Sequence, residues 1–366
     1  METKQHALRF MTFNIRHDHG KDSPYEPFAA PPESPTEFSH EQPWAIRKWK
    51  IADTIILYSP DVVGLQEPIH HQLVDLEALL NEEYEWVGVG RNDGKEEGEY
   101  AAIFYKRECL SVENHKTIWL SETPEEVGSK GWDAHHPRVA SQVMFKRLSD
   151  DSTFTVFNAH FDHMGNEARR NSSQLLLDLA KEVEGVVILM GDLNSPESDA
   201  AYKVLTGSAY EDMDKNATLR NLTQLNDAIT QSFVRSTGRP VRTTENNITL
   251  PTHRVFRPSQ ILSRLQQNGE TQQVHFNDTR YELVTPLTDK NHTARYAKLS
   301  GPYGDTNTFT SFGVGPEAGK GPTRIDYILT LNTAPVEVRQ FAVLSNQFDD
   351  GLYISDHRPI LAKLAW

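Results

Sequence analysis

Val186-Val187-Ile188-Leu189-Met190-Gly191-Asp192-Leu193-Asn194 joins five apolar residues to a glycine, a carboxylate and an amide. A short unbroken apolar run closed by a turn former reads as a strand covered on both faces. Asp192 and Asn194 stand two residues apart just past its end and can face the same way. The carboxylate can then take a proton from water, and the amide can hold that water or a phosphate oxygen. Asp-x-Asn is also a common turn. The tip therefore carries chemistry only if other strands end beside it.

Several do. Leu8 to Ile15 alternates in polarity and reads as a strand, with Asn14 and Arg16 placed to point at one cleft. An arginine there is a ready phosphate clamp. Asp61 to Glu67 is a short buried strand with a carboxylate at its end, which suits a hard cation held through carboxylates and water. Tyr100–Tyr105 and Phe154–Ala159 are further strands, the second running into His160. Helices should follow from Trp44, where Ile46, Trp49, Ala52, Asp53 and Ile56 have mostly apolar helical spacing, and from Ala168 to Glu184 around Leu175, Leu179 and Val183. The rhythm of strand, polar tip and helix predicts strand ends converging on one cleft. A Pro-rich loop runs from His17 to Pro43. Residues 233–303 break the rhythm and read as an insertion on a single domain, 1–366, with a short helix near Ser259–Gln267.

Ser355-Asp356-His357 is more specific. An adjacent carboxylate and imidazole offer one group to a metal and the other to a phosphate. A histidine kept cationic at neutral pH needs a carboxylate partner. Arg324-Ile325-Asp326-Tyr327-Ile328-Leu329 supplies one, because an acid within such a strand is costly unless paired. His160 and His163 could be loop histidines or a His-x-x-His zinc pair, but no further ligands at zinc spacing stand out. His17/His19, His70/His71 and His135/His136 read most simply as surface residues.

Composition narrows the partners. The 366 residues carry 37 basic and 51 acidic side chains, a formal net charge of −14, which disfavours long polyanions as partners unless a local groove or metal offsets it. The single cysteine, Cys109, forbids an internal disulfide framework and fits a reducing compartment. No apolar signal segment follows Met1 and no stretch is long enough to span a membrane, so the expectation is cytoplasmic. Six Asn-x-Ser/Thr sequons would matter only in a mature secreted form.

Thr12-Phe13-Asn14-Ile15-Arg16, Val63-Gly64-Leu65-Gln66-Glu67, Asn158-Ala159-His160, Gly191-Asp192-Leu193-Asn194, Arg324-Ile325-Asp326-Tyr327 and Ser355-Asp356-His357 occur in that order. The series resembles the endonuclease/exonuclease/phosphatase superfamily, with its deoxyribonuclease I-like fold, from about residue 7 to 366. The resemblance implies an α/β four-layer sandwich: two face-to-face mixed β-sheets flanked by helices, with a cleft at one sheet edge. It implies Glu67 as main Mg²⁺ or Mn²⁺ ligand with Asn14 and Asp356 nearby, and Asp192 to orient or deprotonate the attacking water. Asn194 would hold that water or a phosphate oxygen. His357, kept protonated by Asp326, would stabilise phosphoryl charge. Glu99, before Tyr100, would pair with His160, a candidate acid for the leaving oxygen. Asn158 and Arg138 would contact substrate, Arg138 by reaching the phosphate from a Trp119-Leu120-Ser121-Glu122-Thr123-Pro124…Gly131-Trp132-Asp133-Ala134…Pro137-Arg138 segment similar to a little-characterised branch. The inositol-polyphosphate 5-phosphatase pattern, with Trp before Gly-Asp-x-Asn and Asp-Arg at 326–327, is not met.

The expected activity is metal-dependent hydrolysis of a phosphomonoester or phosphodiester by activated water, on a small or short substrate. A nuclease is the alternative. A non-catalytic binder should have lost metal or imidazole residues, and this chain keeps them. A sphingomyelinase-like lipid hydrolase would want a membrane anchor that Tyr25, Phe28 and Phe38, set among prolines and acids, supply poorly. No protein partner is expected.

Overall fold

The computed structural model describes residues 7–18, 41–207, 235, 273–282, 303–313, 323–349 and 351–366. The helix expected near Ser259–Gln267, most of the 233–303 segment and most of the Pro-rich loop lie outside the described residues.

Two mixed sheets pack face to face. In chain order the strands are β1 (Ala7–Asn14), β2 (Val62–Gln66), β3 (Tyr84–Val87), β4 (Ala101–Lys106), β5 (Leu110–Trp119), β6 (Val139–Arg147), β7 (Thr153–His160), β8 (Val186–Asp192), β9 (Phe276–Asp278), β10 (Tyr303–Gly304), β11 (Asp326–Leu331), β12 (Glu337–Val343) and β13 (Ile360–Ala365). One sheet has the order β10-β12-β13-β1-β2-β4-β3 and the other β5-β6-β7-β8-β11-β9. Helices α1 (Trp44–Tyr58) and α2 (His70–Leu80) cover the first sheet; α3 (Asn166–Lys181) and α4 (Ala200–Thr206) cover the second. A further one-turn helix, α5 (Thr279–Glu282), follows β9. This is the expected four-layer sandwich.

Side-chain alternation along each strand divides the core into three layers. Phe10 on β1, Val62 on β2, Phe154 and Val156 on β7, Ile188 and Met190 on β8 and Ile328 on β11 fill the space between the sheets. Their odd-register neighbours Met11, Phe13, Val63 and Leu65 face α1 and α2, while Phe157, Leu189, Tyr327 and Leu329 face α3 and α4. Extending the inward series to the strand ends replaces hydrocarbon by Asn14, Gln66, Asn158, His160, Asp192 and Asp326, all buried. A polar layer thus caps the inter-sheet core. It lies at the ends of central strands, not along a lateral edge.

The two apolar stripes expected on helices are offset. In α1 the buried face is Trp44, Arg47, Ile51, Ala52, Thr54 and Ile55, while Ile46, Trp49 and Ile56 are exposed. In α3 Leu176, Leu177 and Ala180 are fully inside, and Leu175 and Leu179 sit at the margin. Adjacent residues of a helix differ by about 100° of rotation, so a one-residue error in phase decides which side is covered. Residues inside the 233–303 segment also contribute to the sheet: β9 pairs antiparallel with β11, Leu329 opposite Asp278.

Candidate active site

Register brings the chemistry together. Parallel pairing of β7 with β8 sets His160 beside Asp192, and antiparallel pairing of β11 with β8 sets Asp326 on its other side. Gly191 makes the first pairing possible: its φ is +144°, and a Cβ there would meet the carbonyl oxygen of Ala159 at 2.0 Å. From the facing sheet, Asn14 donates its amide N–H groups to Glu67 Oε1 (2.9 Å) and Asp192 Oδ2 (3.0 Å). Arg16, Glu67 and Asn194 have left-handed backbones, with φ of 59°, 70° and 47°. Such conformations in non-glycine residues gather at functional sites, where the surrounding fold holds them.

His357 enters from the loop before β13. Its Nδ1 is 2.9 Å from Asp326 Oδ2, and its Nε2 is 3.7 Å from Asp192 Oδ2. Burial opposes charge on this ring, but Asp326, Asp192 and Asp356 outweigh it and hold its pKa well above the usual histidine range. Asp192 is pushed up to about 7, by burial and by the Asp326 charge, against the pull of His357 and two hydrogen bonds. Asn194 supplies one of those bonds, its backbone N–H donating to Asp192 Oδ1 at 2.8 Å. The Ser355 hydroxyl donates to the Asn14 carbonyl (2.6 Å) and accepts from the His357 N–H (3.1 Å), fastening this loop to β1.

On the other flank, His160 Nε2 is also 3.7 Å from Asp192 Oδ2. Glu67, His160 and Asp192 each place a ligand atom within 4.8 Å of the others, as do Asp192, Asp326 and His357. Asp326 Oδ1 is buried without a hydrogen-bond partner. Clustered, buried and incompletely satisfied carboxylates are a donor set that fits a hard divalent cation.

The sequence profile of the Endonuclease/Exonuclease/phosphatase family matches residues 11–357. The chain belongs to this family. The enzymes of the family are metal-dependent phosphoester hydrolases. Among solved structures, an endonuclease/exonuclease/phosphatase from Bacteroides vulgatus is similar at 27% identity and a TM-score of 0.65, covering 98% of this chain and 99% of that one. The mannosyl-6-phosphatase of Bacteroides thetaiotaomicron shares the fold at 23% identity and a TM-score of 0.63, covering 98% and 100%. The catalytic domain of human nocturnin, solved with a bound sulfate, does so at 14% and 0.51, covering 98% and 93%. No curated protein matches the sequence.

Other family-implied residues fall where their local contacts dictate. Asn194 Nδ2 donates to the Phe161 carbonyl (3.0 Å) and lies 3.2 Å from His160 Nε2. Glu99 is 3.6 Å from His160 Nδ1, but its tight partner is Arg91, at 2.6 Å. Arg138 Nη1 lies 3.1 Å and 3.0 Å from the two ring nitrogens of His160. Burial and then Arg138 hold the His160 pKa well below the ordinary value, despite Glu67. The ring is therefore held neutral by these neighbours, with the Glu99 and Asp192 carboxylates 3.6 Å and 3.7 Å from its two nitrogens. Asn14 turns its oxygen to the Arg16 N–H (3.0 Å) and its nitrogen to the Glu67 and Asp192 carboxylates, bracing both. Asp356 belongs to neither converging cluster; its carboxylate accepts from the Ser355 hydroxyl at 3.2 Å.

Arg16 lies beyond β1, not on it, because the strand ends at Asn14; its side chain is 3.7 Å from Glu67 and 3.5 Å from Glu41. Asn158 corrects an expectation. It is fully buried, donates to the Leu65 and Ala102 carbonyls and accepts from Gln66, stitching the sheets together with no atom left for substrate. Gly64 makes room for it, since a Cβ there would meet Asn158 Oδ1 at 2.7 Å.

His17, expected at the surface, sits at the site: its Nδ1 is 2.9 Å from Glu67 Oε2 and its backbone N–H donates to the same oxygen. Burial alone would raise the Glu67 pKa, but His17 and Arg16 hold it well below the carboxylate range. Nothing in the spacing around Arg91 marks it, and Ser355 stands in its motif without a role that the pattern assigns. His17 directly follows Arg16 in a family motif, and that adjacency was the available clue.

Proposed function

We propose that the chain hydrolyses a small phosphoester with a divalent cation, Mg²⁺ or Mn²⁺, held at Glu67 and Asp192. The observation that carries this reading is the placing of Asp192. It is flanked by one cationic and one neutral imidazole and tied through Asn14 to the carboxylate of Glu67. The cation, when bound, would screen phosphate charge and favour the hydroxide form of water beside it.

The chain's own groups do the rest. Asp192, its pKa pushed up to about 7 by burial and Asp326 before a cation binds, accepts a proton from the attacking water and is oriented by the Asn194 backbone N–H. Asn194 and Asn14 hold water and carboxylates in line. His357, charged against Asp326, donates to the phosphoryl oxygens as negative charge builds on them. Arg16 and Arg138 supply fixed positive charge on opposite sides of the cluster. Asp356 adds a further carboxylate that supports the charge on His357.

A short substrate is favoured by the net charge of −14, which opposes a long polyanion. The mannosyl-6-phosphatase of similar fold makes hexose phosphates the first compounds to try. The experiment is a screen with Mg²⁺ and Mn²⁺ across hexose phosphates, nucleotides, short oligonucleotides and phospholipids. Turnover of phosphate esters that disappears in Glu67→Ala supports the assignment; activity retained in that variant rejects it.

A further inference from the structure

Three imidazoles crowd together on the rim beside Arg138. His135 and His136 stand in the loop between β5 and β6, and His163 in the loop between β7 and α3. Their ring centroids are separated by 4.4 Å (His135–His136), 5.8 Å (His135–His163) and 6.2 Å (His136–His163), and all three side chains are exposed. The loops are not loose. Asp162 accepts from the backbone N–H of Met164 (3.0 Å), Gly165 (2.8 Å) and His136 (3.4 Å) and from Arg138 Nε (3.3 Å), tying both histidine-bearing segments to one carboxylate.

One hydrogen bond fixes the tautomer of His163. Arg138 Nη2 lies 3.0 Å from His163 Nδ1. A guanidinium only donates, so Nδ1 must accept and the ring proton must sit on Nε2. A ring with its free nitrogen protonated is a donor, not a metal ligand. Behind the cluster, Arg91 is nine-tenths buried and its Nε–H has no partner. Burial first, then Arg91 and Arg138 among the neighbouring cations, hold His136 below its ordinary pKa; burial and Arg138 do the same for His163. Both rings are therefore neutral at neutral pH, each with one N–H to donate.

We propose that His135, His136 and His163, backed by Arg91 and Arg138, form a subsite for a second phosphoryl group carried by the substrate. The proposal rests on the hydrolase reading above. Arg138 is the physical link, since one of its nitrogens lies against His160 beside Asp192 and another against His163. A donor-lined rim on a chain of net charge −14 is a local exception that selects the anionic end of a substrate.

The test compares a hexose 6-phosphate with the matching hexose 1,6-bisphosphate, with Mg²⁺, in the wild type and in the His135→Ala/His136→Ala/His163→Ala triple variant. The quantity read is the ratio of kcat/KM for the two esters, in which a general loss of activity cancels. The wild type should favour the bisphosphate by about tenfold, the effect of one hydrogen bond to a charged group, and the triple variant should bring the ratio near one. An equal ratio in both enzymes overturns the subsite. A turnover-independent readout follows the ring C–H resonances of the three histidines as inorganic pyrophosphate is added without metal. Shifts at all three support the proposal even if neither ester is turned over, in which case the hydrolase reading falls alone. Silence at all three, or Zn²⁺ binding that the triple variant loses while pyrophosphate has no effect, rejects it.

Discussion

The two histidines flanking Asp192 place Nε2 at the same distance, 3.7 Å, from the same carboxylate oxygen, yet they hold opposite charge states. His357 has Asp326 behind it at 2.9 Å and stays protonated; His160 has Arg138 behind it at 3.0–3.1 Å and stays neutral. Both rings are buried, so burial penalises the charged form in each. The sign of the nearest charged neighbour decides the outcome. The carboxylate between them can then receive a proton on one side while the other side presents a cation to phosphate.

Removing the shared member should have the largest effect. Asp192→Asn is expected to lower kcat by about 10³–10⁴-fold with the circular-dichroism spectrum unchanged, since it removes the proton acceptor. A loss under tenfold would give the role to another group. On the cationic flank, Asp326→Asn and His357→Ala should each cost about 10²–10³-fold in kcat, and the pair together little more than either. Independent, multiplying losses would separate the two residues. On the neutral flank, His160→Ala should cost about a hundredfold at most. Arg138→Met should raise the His160 pKa toward its ordinary value, because a nearby cation that disfavoured the protonated ring is gone. NMR titration of that ring measures the sign.

Smaller effects sharpen the contrast. At pH 7 Asp192 is near its midpoint, and a cation bound beside it favours the ionised form. Mg²⁺ binding should therefore release protons, seen by calorimetry in buffers of different ionisation heat. Proton uptake would contradict the assigned state. Asn158→Leu removes the amide that donates to the Leu65 and Ala102 carbonyls, while Gln66 keeps Thr12 and Gly64 as acceptors, and should lower stability by about 1–3 kcal/mol for each carbonyl left unpaired. A raised KM without that loss in a denaturant titration would restore Asn158 to the substrate.

Much of the fold was legible because its decisive strands are short apolar runs ending in polar tips. Val186–Met190 leading into Gly191-Asp192 lies within β8, and Asp326 with His357 is the pair expected from an acid set in a strand. Helix phase was less legible. Ile46, Trp49 and Ile56 look like a core stripe but face outward, because α1 turns inward Arg47, which donates to the Ile15 and Ile354 carbonyls at 2.7 Å and 2.9 Å. No local pattern announces a buried arginine that serves the backbone of two distant loops.

The amino-acid sequence by itself determined which residue types stand at the strand ends, and thus the family and the class of reaction. Period-two alternation makes the inward-facing set follow from the order of residues along each strand. Only the tertiary structure decided what each group touches: Asn158 spent between the sheets, His17 against Glu67, Glu99 held more tightly by Arg91 than by His160. Charge state and hydrogen bonding depend on neighbours a few ångströms away in space, and those neighbours come from segments far apart in the chain.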